Sequence, residues 1–155
     1  EVIEVPGNAN LSAAERQSRV DTFYVPFRNW LTKTMDDRKP SALVTVHSFT
    51  PVYKGTPRTV ELGILHDADD RAAQLMLSHA EGSGLRVALN EPYSATDGVT
   101  HTLREHAVRR GLPNVMIEVR NDLIDSPKGV KRIAGLLTPI LHSVIKDISH
   151  AEAKP

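Results

Sequence analysis

Apolar residues recur along this chain with two periods, and the switches between them mark out its elements. Val20, Phe23, Tyr24, Phe27, Trp30 and Leu31 follow three- and four-residue spacing, which places them on one stripe of a helix. Just upstream, Ser12-Ala13-Ala14-Glu15 matches a capping box, in which the Ser hydroxyl accepts from a free backbone N–H while the Glu reaches back. A helix is therefore expected from about residue 12 to Asp36, kinked or split at Pro26, which lacks an N–H and crowds the preceding turn. The run Ala42-Leu43-Val44-Thr45-Val46 reads as a buried strand ending at His47, and Ser48 to Pro57, with two Pro and one Gly, as a loop.

Thr59 to Leu65 is a second strand, and Asp69 or Asp70 opens a helix to about Ala80, closed by Gly82-Ser83-Gly84. Leu85 to Leu89 is a third strand, broken by Asn90-Glu91-Pro92; a helix from about Thr100 to Arg110 ends at Gly111. Val115 to Val119 is a fourth strand. The last helix, about Pro127 to Ile148, carries Val130, Ile133, Ala134, Leu137, Leu141, Val144, Ile145 and Ile148 on one face, with Pro139 opposite and bending it. Alternation of this kind predicts one α/β domain over residues 1–150, a mostly parallel sheet sandwiched by helices, with a disordered tail at 151–155. Ligands of such sheets gather beyond the carboxyl ends of strands.

Composition narrows the chemistry. Lys plus Arg and Asp plus Glu are 19 each, so composition forces no basic face for nucleic acid. No apolar run approaches a bilayer span, and no membrane association is expected. The absence of cysteine removes disulfides, thiolate nucleophiles and Cys-based zinc sites, leaving His, Asp and Glu as metal ligands, and fits a reducing, cytoplasmic setting. The chain starts at Glu1 without an initiator Met and reads as beginning mid-sequence.

Three polar clusters follow apolar strands. His47-Ser48-Phe49-Thr50-Pro51 presents an imidazole at the sheet rim, as a metal ligand or as a satisfied loop residue. Asn90-Glu91-Pro92-Tyr93-Ser94 is either a polar pocket wall or a turn with a capping Asn. In Glu118-Val119-Arg120-Asn121-Asp122, Glu118 is either a general base with Arg120 holding an anionic substrate, or a partner to Arg120 on one strand face. His66-Asp67-Ala68-Asp69-Asp70-Arg71 looks metal-like but reads as helix capping. No nucleophile elbow, P-loop or dinucleotide fingerprint occurs.

Together these strings resemble the N-formylglutamate amidohydrolase family. The resemblance is carried by Pro6-Gly7-Asn8 with Leu11-Ser12 and Glu15-Arg16, His47 to Pro51, Gly63-Ile64-Leu65 with Asp69 and Arg71, Asn90 to Ser94, and Glu118 to Ile124. It implies a three-layer α/β/α fold, phosphorylase/hydrolase-like and akin to zinc carboxypeptidases, and hydrolysis of N-formyl-L-glutamate or a related N-acyl amino acid. By that analogy His47 is a Zn²⁺ ligand, Glu118 the general acid/base, and Arg58, Asn90, Tyr93, Arg120 and Asn121 grip the substrate's carboxylates. The remaining zinc ligands are expected upstream of this chain. Two other readings stay open: a non-catalytic module binding acidic amino acids through Arg58 and Arg120, and a carboxypeptidase or amidase acting on peptides.

Overall fold

The computed structural model describes residues 5–152, and the chain divides into two compact units, residues 1–40 and 41–155. In the first, a short 3₁₀ turn at Pro6–Asn8 precedes α1 (Ala13–Arg19), a π-helical turn (Val20–Tyr24) and α2 (Val25–Arg38). The capping box forms as expected: the Glu15 N–H donates to Ser12 Oγ, and the Glu15 carboxylate accepts from the Ser12 N–H at 2.8 Å. The π turn lies immediately before Pro26. Widening the turn, with Val25 N–H donating to the Val20 carbonyl, relieves the crowding that the proline ring imposes on the turn before it. The apolar stripe does not make a core here: Phe23, Phe27 and Trp30 are 70%, 54% and 63% exposed.

In the second unit, the described residues form a four-stranded sheet in the order β1-β6-β4-β5 and a small hairpin, β2-β3. The strands are β1 (Leu43–Phe49), β2 (Val52–Tyr53), β3 (Thr56–Pro57), β4 (Leu62–Leu65), β5 (Val87–Leu89) and β6 (Asn114–Arg120). β1 runs parallel to β6 and β4 parallel to β5, but β4 is antiparallel to β6. The polar clusters expected at one rim are therefore split by strand direction. His47 lies within β1 rather than after it, Glu118 lies within β6 as expected, and the carboxyl ends of β4 and β5 point the opposite way.

Strand alternation sorts the side chains onto two faces. Leu62, Ile64, Val115, Ile117 and Val119 pack with α3 (Arg71–Ala80) and α5 (Pro127–Glu152) in the main core. Ile133, Leu137, Ile140, Val144 and Ile148 are the buried residues of α5; Val130 and Ile145, expected on that face, are exposed, and Ile140 takes part instead. Pro139 and Gly135, whose carbonyl loses its usual donor, both lie on the exposed side of the helix. The helix runs on through Ala151 and Glu152, where a tail was expected, and residues 153–155 lie outside the described ones. On the opposite face, Leu65, Met116 and Leu103 of α4 (His101–His106) make a smaller core with Leu43, Tyr93 and Val99. That face carries the candidate site. Gly111, with φ of 64°, ends the 3₁₀ turn after α4 as anticipated.

Candidate active site

One row of side chains crosses the second face. His47 on β1, Glu118 on β6 and Gly63 on β4 are register neighbours, so all three sit on the same side of the sheet. Glu118 is only 5% exposed, and its Oε2 is buried without a hydrogen-bond partner, as is the Thr45 hydroxyl oxygen one row away. Burial pushes the Glu118 carboxyl up to about 7, against the opposing pull of the Arg58 cation. His47 beside it is exposed. A buried carboxyl raised toward neutrality marks a candidate position for acid–base chemistry.

Gly63 lets the chain close over this row. A Cβ there would lie 2.1 Å from the Glu91 carbonyl oxygen and 3.2 Å from the Glu118 Cβ. Backbone thus approaches backbone where any side chain would intrude, and the segment after β5 folds back along the site face. That segment carries the cis Glu91–Pro92 peptide and then Tyr93.

Arg58, between β3 and β4, packs against Phe49 of β1 and against Tyr93. Its Nη1 donates to the Thr50 carbonyl at 3.2 Å, to Thr50 Oγ1 at 3.3 Å and to Tyr93 Oη at 3.3 Å. Its guanidinium carbon lies 5.6, 4.8 and 5.1 Å from the ring centroids of Phe49, Tyr53 and Tyr93. Three aromatic rings and these acceptors hold the guanidinium in place. The hairpin that supplies Tyr53 was expected to be plain loop. Lys54 and Gly55, with φ of 48° and 81°, make the tight two-residue connection that pairs Tyr53 with Thr56.

The other expected substrate contacts fall elsewhere. Arg120 is committed to the protein: Nε donates to Asp122 Oδ1 at 2.8 Å, Nη2 to Glu61 Oε1 at 3.3 Å, and Nη1 to the Arg58 carbonyl at 3.1 Å. That hydrogen bonding holds the Asp122 carboxyl below its usual range. Arg120 is a clamp on the segment leading from Arg58 into β4, and no pair with Glu118 takes its place. Asn121 lies exposed in a 3₁₀ turn after β6. Asn90 turns its amide to His66, with Oδ1 accepting from the His66 N–H at 3.0 Å. Of the expected group, the fold gathers His47, Glu118, Arg58 and Tyr93 on one face. In the acidic run after β4, Asp70 takes the N-cap position without a side-chain cap hydrogen bond, while Asp69 accepts from the Arg71 N–H at 3.1 Å and ion-pairs with its guanidinium at 2.6 Å. Phe49, Tyr53 and Gly63 were not foreseen as site residues; the Lys54-Gly55 dipeptide between Val52-Tyr53 and Thr56-Pro57 was the available signal for the hairpin.

Zinc was the expected cofactor, and the donor set tests it. A catalytic zinc takes about three protein ligands. Among the described residues no group of three or more His, Asp or Glu side chains converges, and the row offers His47 and Glu118. These residues alone do not make that site.

A mixed α/β sheet layered by helices, with a neutral-range carboxyl beside an imidazole and an arginine ringed by aromatics on one face, defines an α/β protein with a polar cluster on one side of its sheet. The chain belongs to the N-formylglutamate amidohydrolase family, whose model matches residues 3–125. It is similar to the gene product Atu2144 of Agrobacterium tumefaciens, with 47% identity and a TM-score of 0.89, over 96% of this chain and 61% of that one. The N-formylglutamate amidohydrolase of Ralstonia eutropha JMP134 shares the fold at 18% identity, with a TM-score of 0.56, over 90% of this chain and 55% of that one. The chain thus spans less than two thirds of either structure's length. No curated protein matches it. Among the described residues, no helix is long and apolar enough to cross a membrane.

Proposed function

We propose that this chain carries the acid–base part of an amide-bond hydrolase acting on N-formyl-L-glutamate or a related N-acyl amino acid. The observation that carries the reading is Glu118: buried, with one oxygen unpartnered, poised near neutrality and flanked by His47. Ionised Glu118 takes a proton from a water as its oxygen attacks the acyl carbon. When the C–N bond breaks, the same carboxyl returns the proton to the leaving nitrogen, giving a carboxylate and a free amino acid. Arg58, held among Phe49, Tyr53 and Tyr93, anchors a substrate carboxylate.

His47 is the protein's own candidate for a metal ligand. Zinc enters this reading only with donors beyond those described, and no step above is routed through it. Such a reaction belongs to amino-acid catabolism, for which we propose a cytoplasmic setting and a small-molecule substrate. The test is turnover of N-formyl-L-glutamate, other N-acyl amino acids and short peptides, following amine release, with metal content measured on the same samples. Release from acyl amino acids that is lost in Glu118→Gln supports the reading. Binding without release points to a module that only recognises acidic amino acids, and release confined to peptides points to a peptidase.

A further inference from the structure

His66 follows β4, in the stretch that leads into α3, and its two ring nitrogens meet Asn90 and the Asp67 carbonyl. The backbone N–H of His66 donates to Asn90 Oδ1 at 3.0 Å, which fixes the orientation of the Asn90 amide, because a backbone N–H can only donate. The Asn90 Nδ2 group then faces His66 Nε2 at 2.9 Å, so Nε2 must accept. On the other side of the ring, Nδ1 lies 2.8 Å from the Asp67 carbonyl oxygen, which can only accept, so Nδ1 carries the proton. Every contact agrees on one neutral tautomer.

Asn90 sits at the bend. Its φ is 52°, its N–H donates to the Ile64 carbonyl at 2.9 Å, and the chain from it turns back across the site face. Glu91 then lies over Gly63, and Tyr93 meets Arg58. We infer that His66 is a positioning residue: as the Nδ1–H tautomer it holds Asn90, and through it the 90–93 segment, so that Tyr93 and Arg58 meet the substrate's carboxylate in a fixed place. The substrate part of this inference rests on the hydrolase reading; the clasp itself does not.

Three measurements test it on the full chain. Long-range ¹H–¹⁵N spectra of the imidazoles should show His66 protonated at Nδ1 and bare at Nε2. In His66→Phe, the Arg58 side-chain N–H resonance, shifted by three aromatic rings, should move toward its free-arginine position. With an N-acyl amino acid substrate the same variant should raise KM by roughly 10-fold and change kcat by less than about 3-fold, the pattern of lost uniform binding. A proton on Nε2, or an unmoved Arg58 resonance in the variant, overturns the clasp. A fall in kcat at unchanged KM overturns the positioning role. Both spectroscopic results holding, while the wild-type protein turns over no acyl amino acid, would uphold the clasp and sink the hydrolase reading.

Discussion

His47 and Glu118 are register partners on parallel neighbouring strands, which sets an exposed imidazole beside a buried carboxyl on one face of the sheet. Strands pair about 4.8 Å apart, so the two backbones bring the groups together with no loop in between to tune. The first prediction follows from the carboxyl, which must be ionised to accept a proton and titrates at about 7. The plot of log(kcat/KM) against pH should rise through an apparent pKa near 7 and then level. Glu118→Gln should lower kcat by roughly 10²- to 10⁴-fold. A profile already flat at pH 5 would exclude Glu118 as the base.

The same burial makes a stability prediction of definite sign. Between the ordinary carboxylate range and about 7, the folded state holds a proton that the unfolded chain has released, so stability falls as pH rises through that window. Above it, the ionised buried carboxylate costs on the order of 3 kcal/mol. Urea melts of wild type and Glu118→Gln should therefore diverge from pH 5 to 8, with the variant gaining relative to wild type. Parallel curves across that range would mean that Glu118 is not desolvated.

How much of this was legible in the sequence divides along physical lines. The capping box at Ser12 and Glu15 and the strand cores were readable because local hydrogen bonding and side-chain period dictate them. So was the presence of His47, Glu118, Arg58 and Tyr93 near one another, though from family likeness rather than spacing. The antiparallel join of β4 to β6 was not, since strand direction is set by long-range pairing that no local pattern encodes. That join puts the carboxyl ends of β4 and β5, with His66 and Asn90 just beyond them, at the rim opposite the carboxyl ends of β1 and β6. Arg120 misled for a related reason: its charge was visible, but Glu61 and Asp122, which occupy it, come together only in the fold.

Gly63 offers a steric test. Gly63→Ala would drive a methyl group into the Glu91 carbonyl, which is backbone and cannot swing aside as a side chain can. Overpacking of this kind costs about 1–3 kcal/mol, and the 90–93 segment should lift from the sheet in response. We expect a lower melting temperature together with a raised KM. An unchanged melting temperature would mean that the segment does not lie over β4.

Arg120→Ala should act on stability rather than on recognition. Its guanidinium holds Glu61, Asp122 and the carbonyls of residues 58–60, and removing it strands a half-buried carboxylate and several acceptors. Because Asp122 is partly exposed and solvent screens it, the loss should fall below that of a fully buried pair, at about 1–3 kcal/mol. Differential scanning calorimetry should show that loss with any substrate or none. A variant of wild-type stability whose KM alone rises would return Arg120 to the substrate-binding group.

Arg58 separates an anchor from a structural cation, because it does two things that one substitution should reveal together. Its charge draws the Glu118 carboxyl down against the effect of burial, and its caged guanidinium faces the site. Arg58→Met keeps much of the apolar stem against Phe49, Tyr53 and Tyr93 but removes the charge. The rising limb of the pH profile should then move to higher pH, since the only change is the loss of a cation that favoured the ionised acid. KM for a dicarboxylic acyl amino acid should rise by roughly 10- to 100-fold, more than for an analogue lacking the side-chain carboxylate, as the loss of a charge-assisted pair requires. A shifted limb with an unchanged KM would leave Arg58 as a tuner of Glu118 alone, and an equal rise for both substrates would place the side-chain carboxylate elsewhere.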